Sequence, residues 1–186
     1  MSENLRRYQQ AMFGFDAVAR RMTPDQWDAP SKCEGWSNRE VAGHVIWGVQ
    51  RMAAGLGVGQ PPAEASEAEV AGADPTATWV ESRDRVMRAL DRQGALATVI
   101  DSPFGPQPAD ELLRISTADV YTHTWDVGAA VGIDPALDPE VAEALYPMLA
   151  AFGDGLRGPG MMGPEVAVPG DASIVDQWLG LLGRRP

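Results

Sequence analysis

Apolar residues recur along most of this chain at the three- and four-residue intervals of an amphipathic helix. Leu5, Tyr8 and Met12 share one face of a first helix, which is predicted over residues 3–22. A short helical turn that carries Trp27 follows it. The pattern therefore begins with one long helix that faces a core and one short helix.

The second long helix has the clearest start signal in the chain. Ser37 and Glu40 have the spacing of a capping box, in which each side chain accepts a hydrogen bond from a free backbone N–H. Trp36 and Val41 occupy the two positions of a hydrophobic staple, which fixes the direction in which the chain enters the helix. This helix is predicted over residues 37–56.

The remaining predicted elements are also mostly helical. Residues 60–74 are rich in Pro, Ala, Glu and Gly and are predicted to form a flexible surface loop. The elements predicted beyond it are a helix over 74–93, a short strand over 98–100, a loop over 101–108, helices over 109–131 and 139–152, an irregular stretch over 153–163 and a final helix capped by Asp171. This order predicts an all-α protein, a helix bundle with extra short helices and minor β segments, as a single domain over residues 1–186.

Composition narrows the partners of the protein. The 186 residues carry a formal net charge of −11 and give a pI of about 4.5, and a field of this sign repels nucleic acid and anionic membranes. The sequence contains no apolar run of the roughly 18 residues that a membrane span needs, and residues 1–7 do not resemble a signal peptide. A single cysteine, Cys33, cannot form an internal disulfide. We therefore expect a cytoplasmic protein that binds small molecules, metal ions or other proteins.

Both histidines of the chain lie at positions suited to a metal ligand. Asp119 and His123 are four residues apart on one predicted helix face, and His44 lies on the second long helix. Imidazole and carboxylate groups suit zinc or nickel, and catalytic metal sites typically have three protein ligands. The spacing alone leaves open that Asp119 pairs with Arg114 and that the histidines are ordinary core or surface residues. Asp126 is equally suited to accept a hydrogen bond from His123 or to bond to a different helix.

Three sets of motifs resemble a known family. Residues 27–44 (WDAPSKCEGWSNREVAGH) resemble the segment that opens the metal-binding domain of mycothiol-dependent maleylpyruvate isomerases, which belong to the DinB-like group of metal-binding four-helix bundles. Residues 119–132 (DVYTHTWDVGAAVG) are similar to the second signature of this family, a carboxylate or histidine, three residues, and then His-x-Trp-Asp. The tail motifs GPEV, PGDA and LGRRP, within residues 163–186, resemble those of a compact subgroup.

This resemblance implies a DinB-like four-helix bundle in which His44, Asp119 and His123 hold a divalent metal ion. The chain departs from the isomerases in two ways. Asp119 stands where they have a glutamate, so the ligand is one methylene shorter. In addition, 186 residues leave no room for their further C-terminal domain, which contributes to thiol chemistry. The fold and the metal are therefore expected to transfer more directly than the isomerisation of maleylpyruvate.

Several residues near these motifs have expected packing roles. Cys33 is expected to pack in the loop before the second long helix rather than act as a nucleophile or a fourth ligand. Trp36, Trp47 and Trp125 are expected in the core, because large aromatic side chains dominate cores. Trp47 lies three residues after His44, so it is also a candidate for the mouth of a pocket.

The predicted function is metal-dependent thiol chemistry. The resemblance implies an S-transferase or isomerase that uses mycothiol or another low-molecular-weight thiol and acts on a small electrophile. No catalytic acid or base is assigned. The alternatives are a non-catalytic module that binds a metal or small ligand, and a metal-dependent hydrolase of a small substrate. The sequence leaves open which metal is bound and whether the bundle forms a homodimer.

Overall fold

The computed structural model describes residues 1–62, 64–102, 105–157 and 162–186. Its backbone forms two compact units, Met1–Ala136 and Leu137–Pro186. A single domain over the whole chain therefore stays a prediction. Among the described residues, no helix is both long and apolar enough to cross a membrane.

The first unit contains four long helices joined by short elements. Its helices are α1 (Glu3–Ala19), α2 (Pro24–Trp27), α3 (Asn38–Gly55), α4 (Glu67–Ala71), α5 (Pro75–Leu90) and α6 (Ala109–Ala130). After a 3-10 turn at Ala95–Ala97, β1 (Val99–Ile100) pairs antiparallel with β2 (Gln107–Pro108), which lies within the predicted loop. The helix α1 packs against α5 and α6, and α3 packs against the same two helices. The prediction of an all-α bundle with short helices and minor β segments is confirmed.

The core of this unit lies where the apolar faces of the long helices meet. The largest side chains that are almost fully buried there are those of Tyr8, Met12, Phe15, Ile46, Trp79 and Leu113. The ring centroids of Phe15 and Trp79 are 4.5 Å apart, which joins α1 to α5. Full burial of one large apolar side chain contributes about 1.5–3 kcal/mol, so this packing fixes the helices relative to one another.

Side-chain caps fix where α3 and α5 begin. The Ser37 hydroxyl accepts a hydrogen bond from the Glu40 N–H at 3.2 Å, and the Glu40 carboxylate accepts one from the Ser37 N–H at 2.7 Å. This is the predicted capping box. The Asp74 carboxylate accepts a hydrogen bond from the Ala77 N–H at 3.0 Å in the same way. The cap at Ser37 sets the register of α3 and so places His44 about two turns into that helix.

The segment between α3 and α5 differs from its prediction. Residues 60–74 are not a loop throughout, because α4 lies within them, and the prediction is wrong there. The cause is a second capping box, in which the Glu69 carboxylate accepts a hydrogen bond from the Ser66 N–H at 2.8 Å. The helix α4 also packs so closely on α3 that a Cβ added to Gly43 would lie 1.8 Å from the Glu67 carbonyl oxygen. The flexibility of residues 60–74 stays a prediction.

The second unit contains α7 (Pro139–Phe152) and α8 (Ile174–Leu181), which pack against each other. The helix α8 begins two residues later than predicted, because Ser173 rather than Asp171 supplies the cap. The Ser173 hydroxyl accepts a hydrogen bond from the Asp176 N–H at 3.1 Å. The stretch predicted to be irregular begins with a 3-10 turn at Gly153–Leu156, and its residues 158–161 lie outside the described residues.

Candidate metal centre

Three candidate ligands meet where α3 faces α6. His44 lies on α3, while Asp119 and His123 lie about one turn apart on α6. Nε2 of His44 is 3.1 Å from Oδ1 of Asp119, and Nε2 of His123 is 3.5 Å from the same oxygen. One donor atom from each residue lies within 4.8 Å of the other two. The structure thus brings together the three residues that the sequence singled out.

The distances from Asp119 to the two histidines are close to those between ligands of a tetrahedral divalent ion. Two ligands at about 2 Å from such an ion are about 3.3 Å from each other, and the two measured distances lie on either side of that value. Three protein donors leave a fourth position for water or a ligand. In the part of the chain that the structure describes, this is the one group of three or more His, Cys, Asp or Glu residues with such spacing.

Asp126 fixes the orientation of the His123 ring. Its Oδ2 lies 2.8 Å from Nδ1 of His123, and its side chain is fully buried. An N–H on Nδ1 donates to this carboxylate, so Nε2 is the ring nitrogen that lies on the side of Asp119. The sequence left two roles for Asp126 open, and the structure places its carboxylate against His123.

The charges within this group control its protonation. Burial works to raise the pKa of Asp119, but hydrogen bonds and charges from His123 and His44 outweigh it and hold the pKa well below its usual range. Burial works to lower the pKa of His123, but the carboxylates of Asp119 and Asp126 outweigh it and raise the pKa to about 9. Without a metal ion, the centre therefore contains an ionised Asp119 beside a protonated His123. A metal ion that binds His123 must displace that proton.

The loop before α3 contacts both of the helices that carry the candidate ligands. The ring of Trp36 meets the imidazole of His44 edge-on, with centroids 5.6 Å apart. The same loop is bonded to α6, because the Lys32 N–H donates to the backbone carbonyl of Asp126 at 3.1 Å. Cys33 is half-buried in this loop and is not part of the three-ligand group found among the described residues.

Three tryptophans lie at the edge of the core rather than inside it. Those predicted for the core, Trp36, Trp47 and Trp125, are all partly exposed. The fully buried tryptophans are Trp27, Trp79 and Trp178. The prediction of a core position is therefore wrong for Trp36, Trp47 and Trp125. Helical spacing identifies which face of a helix is apolar, but it does not say how deeply that face is covered. The guanidinium of Arg51 covers Trp47, at 4.9 Å from the ring centroid.

A cavity of about 750 Å³ opens beside the candidate centre. His44, Asp119, Trp47 and Tyr8 are among its lining residues. Most of the other lining residues are apolar and include Val45, Val49, Met52, Pro61, Pro62 and Ile100. A cavity of this size and character suits a small organic ligand.

Sequence reasoning missed two residues that shape this site. Tyr8 belongs to the apolar stripe of α1 and was therefore expected only to fill the core. The available signal was its hydroxyl, because a buried phenol usually needs a hydrogen-bond partner. Gly43 allows α4 to approach α3 directly beside His44. No local pattern indicates that contact, because it joins two segments that are distant in sequence.

Comparison with known proteins identifies the family. Residues 8–128, more than half of the chain, match the model of the mycothiol maleylpyruvate isomerase N-terminal domain. The chain belongs to this family. Two uncharacterised proteins of Mycobacterium tuberculosis, from the strains CDC 1551 / Oshkosh and H37Rv, are each 28% identical to this family member over 179 residues, which cover 95% of both chains.

Two crystal structures are similar to this member of the mycothiol maleylpyruvate isomerase family. They are those of the mycothiol-dependent maleylpyruvate isomerase and of a histidine-to-alanine mutant of it, each with a TM-score of 0.65. The identities are 17% and 19%, and the match covers 85% of this chain and 73% of theirs. At this level of identity the similarity shows the fold, which is the DinB-like bundle.

Proposed function

We propose that this family member binds a divalent metal ion through His44, Asp119 and His123 and uses it in thiol-dependent chemistry on a small electrophile. The observation that carries the proposal is the meeting of three donor atoms from two helices within 4.8 Å, beside a cavity that two of the three residues line. Zinc and nickel suit this donor set. The proposed reaction is S-transfer or isomerisation, with mycothiol, the thiol in the family's name, as the cofactor.

The residues of the chain prepare such a centre in distinct ways. Asp126 holds the ring of His123, so that Nε2 is free to bind a metal ion. Asp119 stays ionised at neutral pH and supplies a negative charge. A divalent ion held there acts as a Lewis acid, which lowers the pKa of a bound thiol. The apolar walls of the cavity receive the organic part of the ligand.

The cavity favours ligand binding over a purely structural metal site. Structural zinc sites are closed by four protein ligands, whereas three donors meet here and leave one position open. A non-catalytic ligand-binding module and a hydrolase would share this geometry. Their behaviour separates them from a thiol enzyme, because a hydrolase uses bound water and needs no thiol.

Metal analysis of the purified protein tests the metal-binding part of the proposal. His44→Ala and His123→Ala are each expected to lose bound metal, and Asp119→Asn is expected to weaken binding strongly. Glu111→Gln is the matched control for Asp119→Asn, because Glu111 lies on the same helix and its side chain is 52% exposed. Unchanged metal content in both histidine variants would refute the proposed ligand set.

Titration of the cobalt-loaded protein tests the thiol part. Mycothiol and N-acetylcysteine are expected to produce the intense near-ultraviolet absorption of a cobalt–thiolate bond, whereas N-acetylserine, the matched alcohol, is not. A cobalt-loaded protein that shows neither a spectral change nor heat with these thiols would contradict the thiol enzyme. Thiol binding without turnover of any electrophile would favour the non-catalytic module.

A further inference from the structure

Arg51 places a positive charge in the wall of the cavity. It lies on α3 seven residues after His44, and it is the one Arg or Lys among the described residues that line the cavity. Its guanidinium carbon lies 4.9 Å from the ring centroid of Trp47, which belongs to the same wall. Arg51 thus brings a cation to a cavity whose other lining residues are mostly apolar.

The charge of Arg51 has no counterion in the described part of the chain. Apart from the contact with Trp47, its guanidinium forms neither an ion pair nor a hydrogen bond with those residues. Arg39, at the start of the same helix, instead pairs with Asp28 at 2.7 Å. The residues outside the description, 63, 103–104 and 158–161, include no Asp or Glu. The protein therefore leaves the charge of Arg51 available to a ligand.

The N–H groups of Arg51 are accessible. Arg51 is half-buried, and none of its nitrogen atoms is among the buried side-chain atoms that lack a partner within the described residues. Because these nitrogens form no hydrogen bond there, they face solvent or the cavity rather than the core. A guanidinium carries several N–H donors in one plane, and a contact with an aromatic ring leaves them free for the paired hydrogen bonds that a carboxylate accepts.

Arg51 and the candidate metal centre lie along one face of α3. Residues 44, 47 and 51 follow one another at intervals of three and four, so their side chains share that face. Residue 51 lies about 10 Å beyond residue 44 along the helix axis. The guanidinium contacts Trp47, whose position on α3 is one turn nearer to His44. This arrangement suits a ligand with its reactive group at the centre and an anionic group several atoms away.

The acidic residues of the cavity wall do not occupy this position. Asp119 contacts His44 and His123, and Asp101, which also lines the cavity, forms no ion pair with Arg51. The formal net charge of −11 repels anions at long range, so a local cation is needed to hold an acid in the cavity. Arg51 supplies that cation.

We propose that Arg51 binds a carboxylate of the small molecule in the cavity, so that the ligand is held at one end by the metal centre and at the other by the guanidinium. The inference rests on the proposed function, because it places the sulfur or the electrophilic carbon of the ligand at the centre. It adds a substrate class to that function. The preferred electrophile is an organic acid rather than a neutral molecule, since mycothiol itself has no carboxylate.

A matched pair of thiols tests this role on the cobalt-loaded protein. 6-Mercaptohexanoate and 6-mercaptohexan-1-ol bring the same sulfur to the metal ion and differ only at the far end, which is a carboxylate or a neutral hydroxyl. The wild type is expected to bind the acid at least about fivefold more tightly, because charge-assisted hydrogen bonds are stronger than neutral ones. The cobalt–thiolate absorption measures both affinities.

Arg51→Gln is expected to reduce the preference for the acid to below about twofold, because the amide has no charge. Circular dichroism and Co²⁺ titration check that this variant keeps its helices and its metal centre. Arg88→Gln is the matched control. Arg88 is exposed on α5 and does not line the cavity, so this variant loses the same charge and should keep the wild-type preference.

Three results would overturn the inference. The first is an equal affinity of the wild type for the acid and the alcohol, which needs no variant to observe. The second is a preference for the acid that persists in Arg51→Gln, since other groups would then hold the carboxylate. The third is an equal loss of preference in Arg88→Gln, since the effect would then come from net charge alone.

The experiment also separates this inference from the proposed function. A wild-type protein that binds cobalt but neither thiol contradicts both. If the wild type binds the two thiols equally well, the proposed function survives and only the role of Arg51 is lost.

Discussion

Asp126 and His123 form a buried pair in which the carboxylate Oδ2 lies 2.8 Å from Nδ1 of the imidazole. Because Nδ1 is engaged by Asp126, Nε2 is the one nitrogen of this ring that can bind a metal ion. The backbone carbonyl of Asp126 also accepts a hydrogen bond from Lys32, so the same residue joins α6 to the loop that leads into α3. Asp126 thus contacts His123 itself and also the loop that leads into the helix of His44.

The first prediction concerns the loss of the Asp126 charge. Asp126→Asn is expected to weaken Co²⁺ binding about 10- to 100-fold, because carboxylates that orient ligating histidines typically have effects of this size. Isothermal titration with Co²⁺ measures the change, and circular dichroism checks that the helices remain. Asp134→Asn, an exposed aspartate beyond the end of α6, is the control and should bind as the wild type does. An unchanged affinity in Asp126→Asn would show that Asp126 does not act through His123.

The second prediction concerns the pH dependence of metal binding. The pKa of His123 is raised to about 9 in the metal-free protein, so below that pH a metal ion must displace its proton. The affinity for Co²⁺ is therefore expected to rise about tenfold per pH unit between pH 7 and 8.5. Titrations in buffers of different ionisation enthalpy would also report the proton that is released. An affinity that stays flat over this range would contradict the raised pKa.

The third prediction concerns the stability of the metal-free protein. The folded-state pKa of His123 lies above its unfolded value of 6.5, so its contribution is fully present below pH 6.5 and is lost as pH rises through about 9. The free energy of unfolding is expected to fall over this window by on the order of 2–3 kcal/mol. Urea unfolding in the presence of a chelator measures it. His123→Gln should remove most of this slope, and an identical slope in that variant would assign the effect to other groups.

The fourth prediction concerns the close contact of α4 with α3. Gly43→Ala would place a Cβ 1.8 Å from the Glu67 carbonyl oxygen, so the two backbones must separate. We expect a loss of about 1–3 kcal/mol in the free energy of unfolding and faster proteolysis within residues 60–74. Gly48→Ala on the same helix has no atom within 4 Å of its added Cβ. This control should be neutral or gain up to about 1 kcal/mol from helix propensity.

Local signals explain what could be predicted from the sequence. A capping box at Ser37 and the helical repeat of apolar residues both act within a few residues. The bounds predicted for α3 and the other long helices therefore lie within a few residues of those in the structure. The spacing of Asp119 and His123 likewise fixed that both lie on one helix face. The meeting of His44 with this pair could be anticipated only with the help of the family motifs, because it depends on how two helices pack.

Two of the features that could not be predicted are local contacts whose partners the sequence left ambiguous or hidden, and a third depends on contacts between distant segments. Asp126 had two equally reasonable partners, and only the packing of α6 selects His123. The capping box of Ser66 and Glu69 was hidden in a segment whose Pro- and Gly-rich composition favoured a loop. The cavity, and the place of Tyr8 in its wall, result from three helices and two connecting regions that meet in space, which no single stretch of sequence records.

The wall of the cavity comes from two kinds of structure. The three candidate ligands lie on the packed helices α3 and α6, whereas Pro61, Pro62 and residues 99–102 belong to connections and a short hairpin. Connections accept substitutions and changes of length more readily than packed helices do. Under the proposed function, changes in these connections would therefore alter which ligand the cavity accepts while the three candidate ligands stay in place on their helices.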